Sequence, residues 1–380
     1  MLIYNTKSKK KEEIIPYEAN RIKAYVCGPT VYDYCHIGHA KSYISFDILK
    51  RYLISLGYEV IHIQNFTDID DRIYEKAKKE NKSPFEISER YINEYFKDMD
   101  TLNIIRASKY TKSSDYITKI IELIKKLIEN NYAYELEDGI YFDVEKAGGF
   151  GELISNLNDL ILDKIELRGK KGPFDFILWR KDERGFDSPF GRGFPGWHNE
   201  CIVMAMDNLG DNIDIHWGGK DLIYPHHECE IIISKALIKR NFVKYWIHNG
   251  LVLYKGRKMS KSLGRMIYIR DLLEKYPPSV IRLWILSKKY REDMEFSEDE
   301  LESTWKTYEK IRTTKEKIRK DNENIDDYVK DYINRFISAI DDDLNTPMAI
   351  KIIEEFIDMG KYPRGSWKLF NLFENILGIL

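Results

Sequence analysis

Three small groups of residues in this chain have types and spacings that could do chemistry. The first is His36-Ile37-Gly38-His39. Two imidazoles can hydrogen-bond a phosphoryl group as charge builds on it in a transition state, and a residue without a side chain lets a ligand approach the backbone. The second is Lys258-Met259-Ser260-Lys261-Ser262, whose mobile ammonium groups and hydroxyls can follow and bind a phosphate. The third joins Cys27, Cys201, His226 and Glu230. His226 and Glu230 are i and i+4 and share a face if the segment is helical. Two thiolates, an imidazole and a carboxylate make a tetrahedral zinc set. Cys35, His227 and Cys229 are rival ligands, and helical geometry turns His227 away from the face of Glu230. Each group also has a plain reading: packed or surface histidines, a solvated lysine loop, and free cysteines buried as small hydrophobes.

The elements that would position these groups can be read from the pattern. Residues 22–27 form a short apolar run ended by Gly28-Pro29-Thr30, a buried strand stopping at Cys27. Helical spacing follows from about Gly38 to Leu56, with Gly57 as its stop, and Val60–Ile63 is a second buried strand. Strand, helix, strand is a βαβ unit, the mark of a doubly wound α/β fold, and ligands of such folds bind beyond the carboxyl ends of the strands. The first group therefore lies at a helix N-terminus suited to phosphate. Ser83-Pro84-Phe85-Glu86 is a capping box that opens another helix. A helix over about 115–130 and a hairpin turning at Asp138-Gly139 interrupt the βαβ rhythm, so residues 90–175 read as an insertion. The rhythm resumes at Phe176–Trp179. A helix from about Asn199, a strand near Ile213–His216, a helix from Pro225, and strands near Tyr245–Ile247 and Leu251–Leu253 follow. Beyond about Ser297 the pattern is helix only, and 306–320 is locally basic.

Composition sets the outer limits. The 380 residues are 43% hydrophobic and 32% charged, which is globular and excludes wholesale disorder. The formal charge of −2 excludes a polycation of the histone kind. The N-terminus has no apolar run, no stretch reaches the roughly 18 apolar residues of a membrane span, and four cysteines do not build a disulfide scaffold. A cytoplasmic, reduced protein is expected. All eight histidines and four cysteines precede residue 249, so the chemistry belongs to the N-terminal two-thirds.

His36–His39 reads HIGH and 258–262 reads KMSKS, in that order, and together they resemble the paired signatures of class I aminoacyl-tRNA synthetases. Val26–Asp33, Asn65–Asp71, Gly196–Cys201, Gly218–Leu222 and the HHExE run at His226–Glu230 narrow the resemblance to the cysteinyl-tRNA synthetases, from Tyr4 to about Ser297. Asn345-Thr346-Pro347 resembles that family's helical domain. The resemblance implies a Rossmann-like parallel sheet over 1–297 carrying an inserted subdomain at about 90–175 near the tRNA acceptor end. A helical bundle would span 298–380, without the small C-terminal domain with which longer members read the anticodon. Cys229 stands where members more often carry Asn, and Lys220 where many carry Ser.

What the resemblance implies for function is specific. The enzyme would activate L-cysteine with ATP to cysteinyl-adenylate and pass it to the 3′-terminal adenosine of tRNA(Cys). His36, His39, Lys258 and Lys261 would be catalytic, and His36, Gly38, His39, Lys258, Ser260 and Lys261 would bind ATP. One Zn²⁺ per chain would sit on Cys27, Cys201, His226 and Glu230, with Glu230 the weak ligand. Mg²⁺ would accompany ATP. Zinc would select thiolate over hydroxyl, a discrimination that apolar contacts provide poorly, so no editing domain is expected. Thr67, Trp197 and His198 are candidates for the cysteine pocket. A monomer that engages no membrane is expected, with 306–320 a candidate contact for the tRNA inner stem. The rival ligase reading is the mycothiol-pathway cysteine–aminosugar ligase, which uses the same adenylate. The 41 Lys against 19 Arg argue against it, since that bias belongs to AT-rich genomes. A non-catalytic paralogue should have lost HIGH or KMSKS, and both are intact.

Overall fold

The computed structural model describes residues 1–154, 169–259, 266–318 and 325–379. An N-terminal hairpin, β1 (Leu2–Asn5) and β2 (Lys10–Glu13), precedes β3 (Arg21–Val26), α1 (Ile37–Ser55) and β4 (Glu59–Phe66). Helices α2 (Asp71–Glu80) and α3 (Pro84–Thr101) lead to β5 (Lys109–Lys112), and α4 (Ile117–Glu129) to the hairpin β6 (Ala133–Leu136) and β7 (Gly139–Phe142). Then come β8 (Phe176–Phe186), β9 (Gly193–Pro195), α5 (Trp197–Leu209), β10 (Ile213–Gly219), α6 (Glu228–Ile238) and β11 (Val243–Asn249).

Five of these strands form the central parallel sheet, in the order β11-β10-β3-β4-β5. The alternation along each strand feeds two cores. Ile22, Ala24 and Val26 of β3 and Trp217 of β10 pack on one side, with α1; Tyr25, Cys27 and Trp246 face the other, with α5 and α6. A sheet buried on both faces with helices against each is the doubly wound arrangement the βαβ pattern implies.

The segment expected as an insertion is bounded differently. β5, inside 90–175, is the edge strand of the main sheet, paired parallel with β4. β8 does not resume that sheet: it joins an antiparallel one in the order β6-β7-β8-β9. The separate sheet thus draws on strands from Ala133 to Pro195. A four-residue strand reading Lys-Tyr-Thr-Lys carries no apolar run, and an eleven-residue strand reads alike in either sheet.

The remaining elements close the fold. β12 (Val252–Tyr254), β13 (Arg257–Lys258) and β14 (Met294–Glu295) make a small sheet beside the short helices α7 (Ile269–Leu273) and α8 (Pro278–Leu286). From Glu298 on, the described residues form α9 (Glu298–Lys317), α10 (Asp327–Asp341), α11 (Thr346–Asp358) and α12 (Ser366–Leu377). Asn345 caps α11 and Pro347 lies in its first turn. The end of α12 is tied to α1 through Arg282, fully buried, which donates to Leu377 O at 3.1 and 2.8 Å and to Asp47 at 2.7 Å. No helix among the described residues is long and apolar enough to cross a membrane.

Candidate active site and metal centre

The carboxyl ends of β3, β10 and β11 border a cavity of about 860 Å³, within the range of small-molecule sites. Its lining includes Cys27, His36, Gly38, His39, Trp197 and Lys258.

One end is the start of α1. His36 is the N-cap, its Nδ1 accepting from Gly38 N at 3.1 Å, while His39 Nδ1 accepts from His36 N at 3.2 Å. The rings stack 3.8 Å apart. An imidazole whose Nδ1 accepts carries its proton, when neutral, on Nε2. Burial, and then the charge of His36, hold His39 well below the usual histidine range, so it is neutral. The pair is therefore a rigid pair of Nε2–H donors at a helix N-terminus. Gly38 makes it possible: a Cβ there would lie 2.9 Å from His36 Cε1.

Lys258 lies on the cavity, exposed, in an ion pair with Asp221. Ser260 and Lys261 lie outside the described residues.

The other end is buried. Single ligand atoms of Cys27, His226, His227 and Glu230 lie within 4.8 Å of one another. Cys201, expected in place of His227, is not in that group of four, although its thiol contacts both Cys27 and His226. The backbone kinks at Tyr224, at φ −130°, ψ 137°, and is helical at His227 and Glu228, so His226 and Glu230 meet one turn apart at 3.1 Å. His227, expected to turn away from Glu230, instead brings its Nε2 to 3.3 Å from Cys27 Sγ, because the end of β3 places that thiol on its side of the helix start. Gly218 leaves room for it, since a Cβ there would lie 2.8 Å from His227 Cε1.

Charge in this pocket is strongly organised. Burial opposes the charged form of His226, but Cys201 and Glu230 outweigh it and hold the imidazole up to about 10. Contact with Cys27, and then His226 against the cost of burial, draws Cys201 down to about 6. Glu230 is held down to about 2, burial being outweighed by His216 and His226. Its Oε1 is 3.1 Å from His226 Nε2 yet makes no aligned hydrogen bond. A buried, under-coordinated carboxylate oxygen beside two thiols and two imidazoles fits a bound cation, and the soft donors fit zinc.

His216 and His248 belong to none of the three groups that the sequence singles out. His216 Nε2 is 3.0 Å from Glu230 Oε2, and His248 Nε2 is 2.7 Å from His227 Nδ1. Such outer partners fix the orientation of ligating groups. The signal that could have found them is position: both lie on parallel strands, His216 in the middle of β10 and His248 one residue before the end of β11.

The expected cysteine pocket is brought together only in part. Trp197 lines the cavity and stacks on His226 at 4.5 Å. His198 Nδ1 is 3.1 Å from His226 Nδ1, behind that wall. Thr67 is buried in the backbone ladder with Pro29 and Val31 and is not part of the lining. In the basic stretch on α9, Lys310, Arg312 and Lys315 are engaged in ion pairs with Asp358, Glu309 and Glu374.

A family model described as the tRNA synthetases class I (C) catalytic domain matches residues 13–306. The chain is 43% identical to the cysteine–tRNA ligase of Thermococcus onnurineus, covering 93% of this chain and 78% of that protein. It is 40% identical to the cysteine–tRNA ligase of Carboxydothermus hydrogenoformans, covering 100% and 85%. Among solved structures it resembles Mycobacterium tuberculosis methionyl-tRNA synthetase in complex with methionyl-adenylate, with a TM-score of 0.67 at 13% identity over 94% of this chain and 84% of that one. The Agrobacterium radiobacter K84 LeuRS in its ternary complex gives 0.69 at 12% identity over 96% and 84%. At such identities these two likenesses show the fold.

Proposed function

From the premise that the chain belongs to the cysteinyl-tRNA synthetase family and is a cysteine–tRNA ligase, we propose that the cavity between the α1 N-terminus and the buried Cys/His/Glu cluster activates L-cysteine, the cluster selecting it as a zinc site. The observation that carries this reading is that Cys27 and the His36–His39 pair line one cavity.

Zinc, when bound, would supply a centre that prefers a thiolate to a hydroxyl. Cys27, His226 and Glu230 would hold it, with Cys201 as the fourth ligand; His227 is the alternative fourth. Trp197, stacked on His226, would close the cysteine side and exclude water. An oxygen of the cysteine carboxylate would attack the α-phosphorus of ATP, and the bond to the β-phosphate would break to release pyrophosphate. His36 and His39 would present their Nε2–H donors to the phosphates. Lys258 would exchange Asp221 for the leaving pyrophosphate, and by the KMSKS resemblance Ser260 and Lys261 would join it. Mg²⁺ would arrive with the ATP phosphates and water. This is catalysis by position and charge. In the second step a ribose hydroxyl of the tRNA 3′-terminal adenosine would attack the acyl carbon and release AMP. The antiparallel β6–β9 sheet would face the acceptor end, and the helices from 298 would meet the tRNA stem.

The test is cysteine-dependent ATP–pyrophosphate exchange, with serine as competitor, on zinc-loaded and zinc-stripped protein and on Cys201→Ala and His227→Ala. Zinc-dependent exchange with cysteine alone is expected, with zinc and exchange lost together in Cys201→Ala. Full zinc content and normal exchange in Cys201→Ala would remove Cys201 from the ligand set.

A further inference from the structure

Glu228 stands between the metal-cluster residues His227 and Glu230 but faces the other way. Its carboxylate, 1% exposed, takes four consecutive backbone N–H groups. Leu153 N and Ile154 N donate to Oε1 at 2.6 and 2.9 Å, and Gly151 N and Glu152 N to Oε2 at 3.2 and 3.3 Å. Successive N–H groups converging on one point form an anion-binding nest. Here the anion is the protein's own side chain, and Gly151, at φ +128°, supplies the bend.

The same loop is held to the same helix by other contacts. Glu152 pairs with Lys235 of α6 and with Lys7 at 3.1 Å. Phe150 packs edge-on against Tyr224, at the kink before α6, at 5.8 Å and lies 6.4 Å from Phe176, itself 5.6 Å from His198. Leu153 is buried. The loop is thus docked on the turn that carries His226 and His227, and Glu228 is its central attachment.

We propose that Glu228 is a positioning residue. By fastening residues 151–154 to the first turn of α6, it holds the start of that helix in the place where His226, His227 and Glu230 converge with Cys27. The loop and the cluster are then a single cooperative unit, and loosening one loosens the other. The proposal rests on the zinc reading only for its metal readout.

The experiment compares wild type with Glu228→Gln, Glu228→Asp and, as a control on the same loop, Glu152→Gln. An amide keeps one acceptor oxygen and turns an NH₂ toward two of the four N–H donors. Amide hydrogen exchange of peptides covering 151–154 and 228–232 reads the attachment, and transfer of zinc to a chromogenic chelator reads the cluster. In Glu228→Gln both peptides should exchange about tenfold faster or more, the scale of a lost charge-assisted hydrogen bond, and zinc should leave faster by a similar factor. KM for cysteine should rise while KM for ATP stays within twofold. Glu228→Asp, which keeps the charge but withdraws it by one methylene, should show the same pattern, smaller. Glu152→Gln should match wild type at 228–232. Faster exchange at 151–154 with 228–232 and zinc release unchanged would overturn the proposal, as would global unfolding of both Glu228 variants, which would mark a residue of general stability. If wild type holds no zinc, the zinc reading fails, and exchange at 228–232 decides this proposal alone.

Discussion

Replacing Gly38 with Ala should separate catalysis from stability. The new methyl would meet His36 Cε1 at 2.9 Å, and that ring cannot yield freely, being capped to Gly38 N at 3.1 Å and stacked on His39 at 3.8 Å. Relief requires the ring to rotate off its cap. The lost cap costs about 1 kcal/mol, while Ala for Gly inside a helix returns roughly 0.5–1 kcal/mol. The net change in stability should be within about 0.5 kcal/mol, a shift in Tm of only one or two degrees. Catalysis has no such offset. A displacement of about 1 Å in a positioning group costs on the order of 10²-fold, or about 2.7 kcal/mol of transition-state stabilisation at 1.36 kcal/mol per decade. Cysteine-dependent pyrophosphate exchange should fall by that factor in the turnover rate, with KM for cysteine little changed, since the cysteine end of the cavity is untouched. Exchange within threefold of wild type would refute the assignment of the His36–His39 pair to the phosphates. A loss of stability above about 2 kcal/mol would refute the local account of the clash.

Arg282→Met removes a fully buried guanidinium that satisfies Asp47 and the carbonyls of Leu102 and Leu377. Breaking such a pair costs roughly 3–5 kcal/mol; Arg51, 2.8 Å from the same carboxylate, should hold the loss near the lower bound. Chemical denaturation monitored on α12 should show it, and a loss below about 1 kcal/mol would sink the argument. His62 is buried against Phe46, with neither ring nitrogen hydrogen-bonded, and burial, then Lys50, hold it well below the usual histidine range. The unfolded ring takes a proton below about pH 6.5 and the folded one does not, so stability falls as pH drops through that value, by up to about 1.4 kcal/mol per unit. His62→Phe should flatten that acid limb without loss at pH 8; an unchanged slope would exclude His62 as its source. If phosphate contacts dominate tRNA binding, affinity should fall by orders of magnitude between 50 and 200 mM salt, and a flat response would remove the electrostatic reading.

The sequence was most legible where chemistry and local backbone geometry coincide. The HIGH tetrapeptide lies just after a strand, and the structure turns both its histidines into parts of a capping box, which is local physics. The Ser83–Glu86 capping box and the Asp138-Gly139 hairpin are local in the same sense. His227 departs from the helical expectation because its reach depends on where β3 places Cys27, a long-range juxtaposition that periodicity at 225–230 does not contain. β5 was missed because an edge strand of four residues needs little apolar character. His216 and His248 were invisible to motif logic, since each is a single residue on a separate strand and their partners are brought to them only by the sheet.

That sheet explains why the two ends of the cavity should respond together. β3 ends next to Cys27, and within ten residues the same chain caps α1 with His36. β10 ends at Gly219: Gly218 makes room for His227, and Asp221, two residues on, pairs with Lys258. One strand edge therefore borders the Cys/His/Glu end of the cavity, and its continuation holds the partner of Lys258. A parallel sheet buried on both faces moves as a unit, because shifting one strand breaks ladder bonds on both sides of it. In the proposed reaction, the spacing between a cysteine held at the Cys/His/Glu cluster and phosphates held at the α1 start would be set by this sheet. Lys258 and the loop held by Glu228 lie outside that sheet, so in the proposed reaction they would adjust around a spacing it has already set.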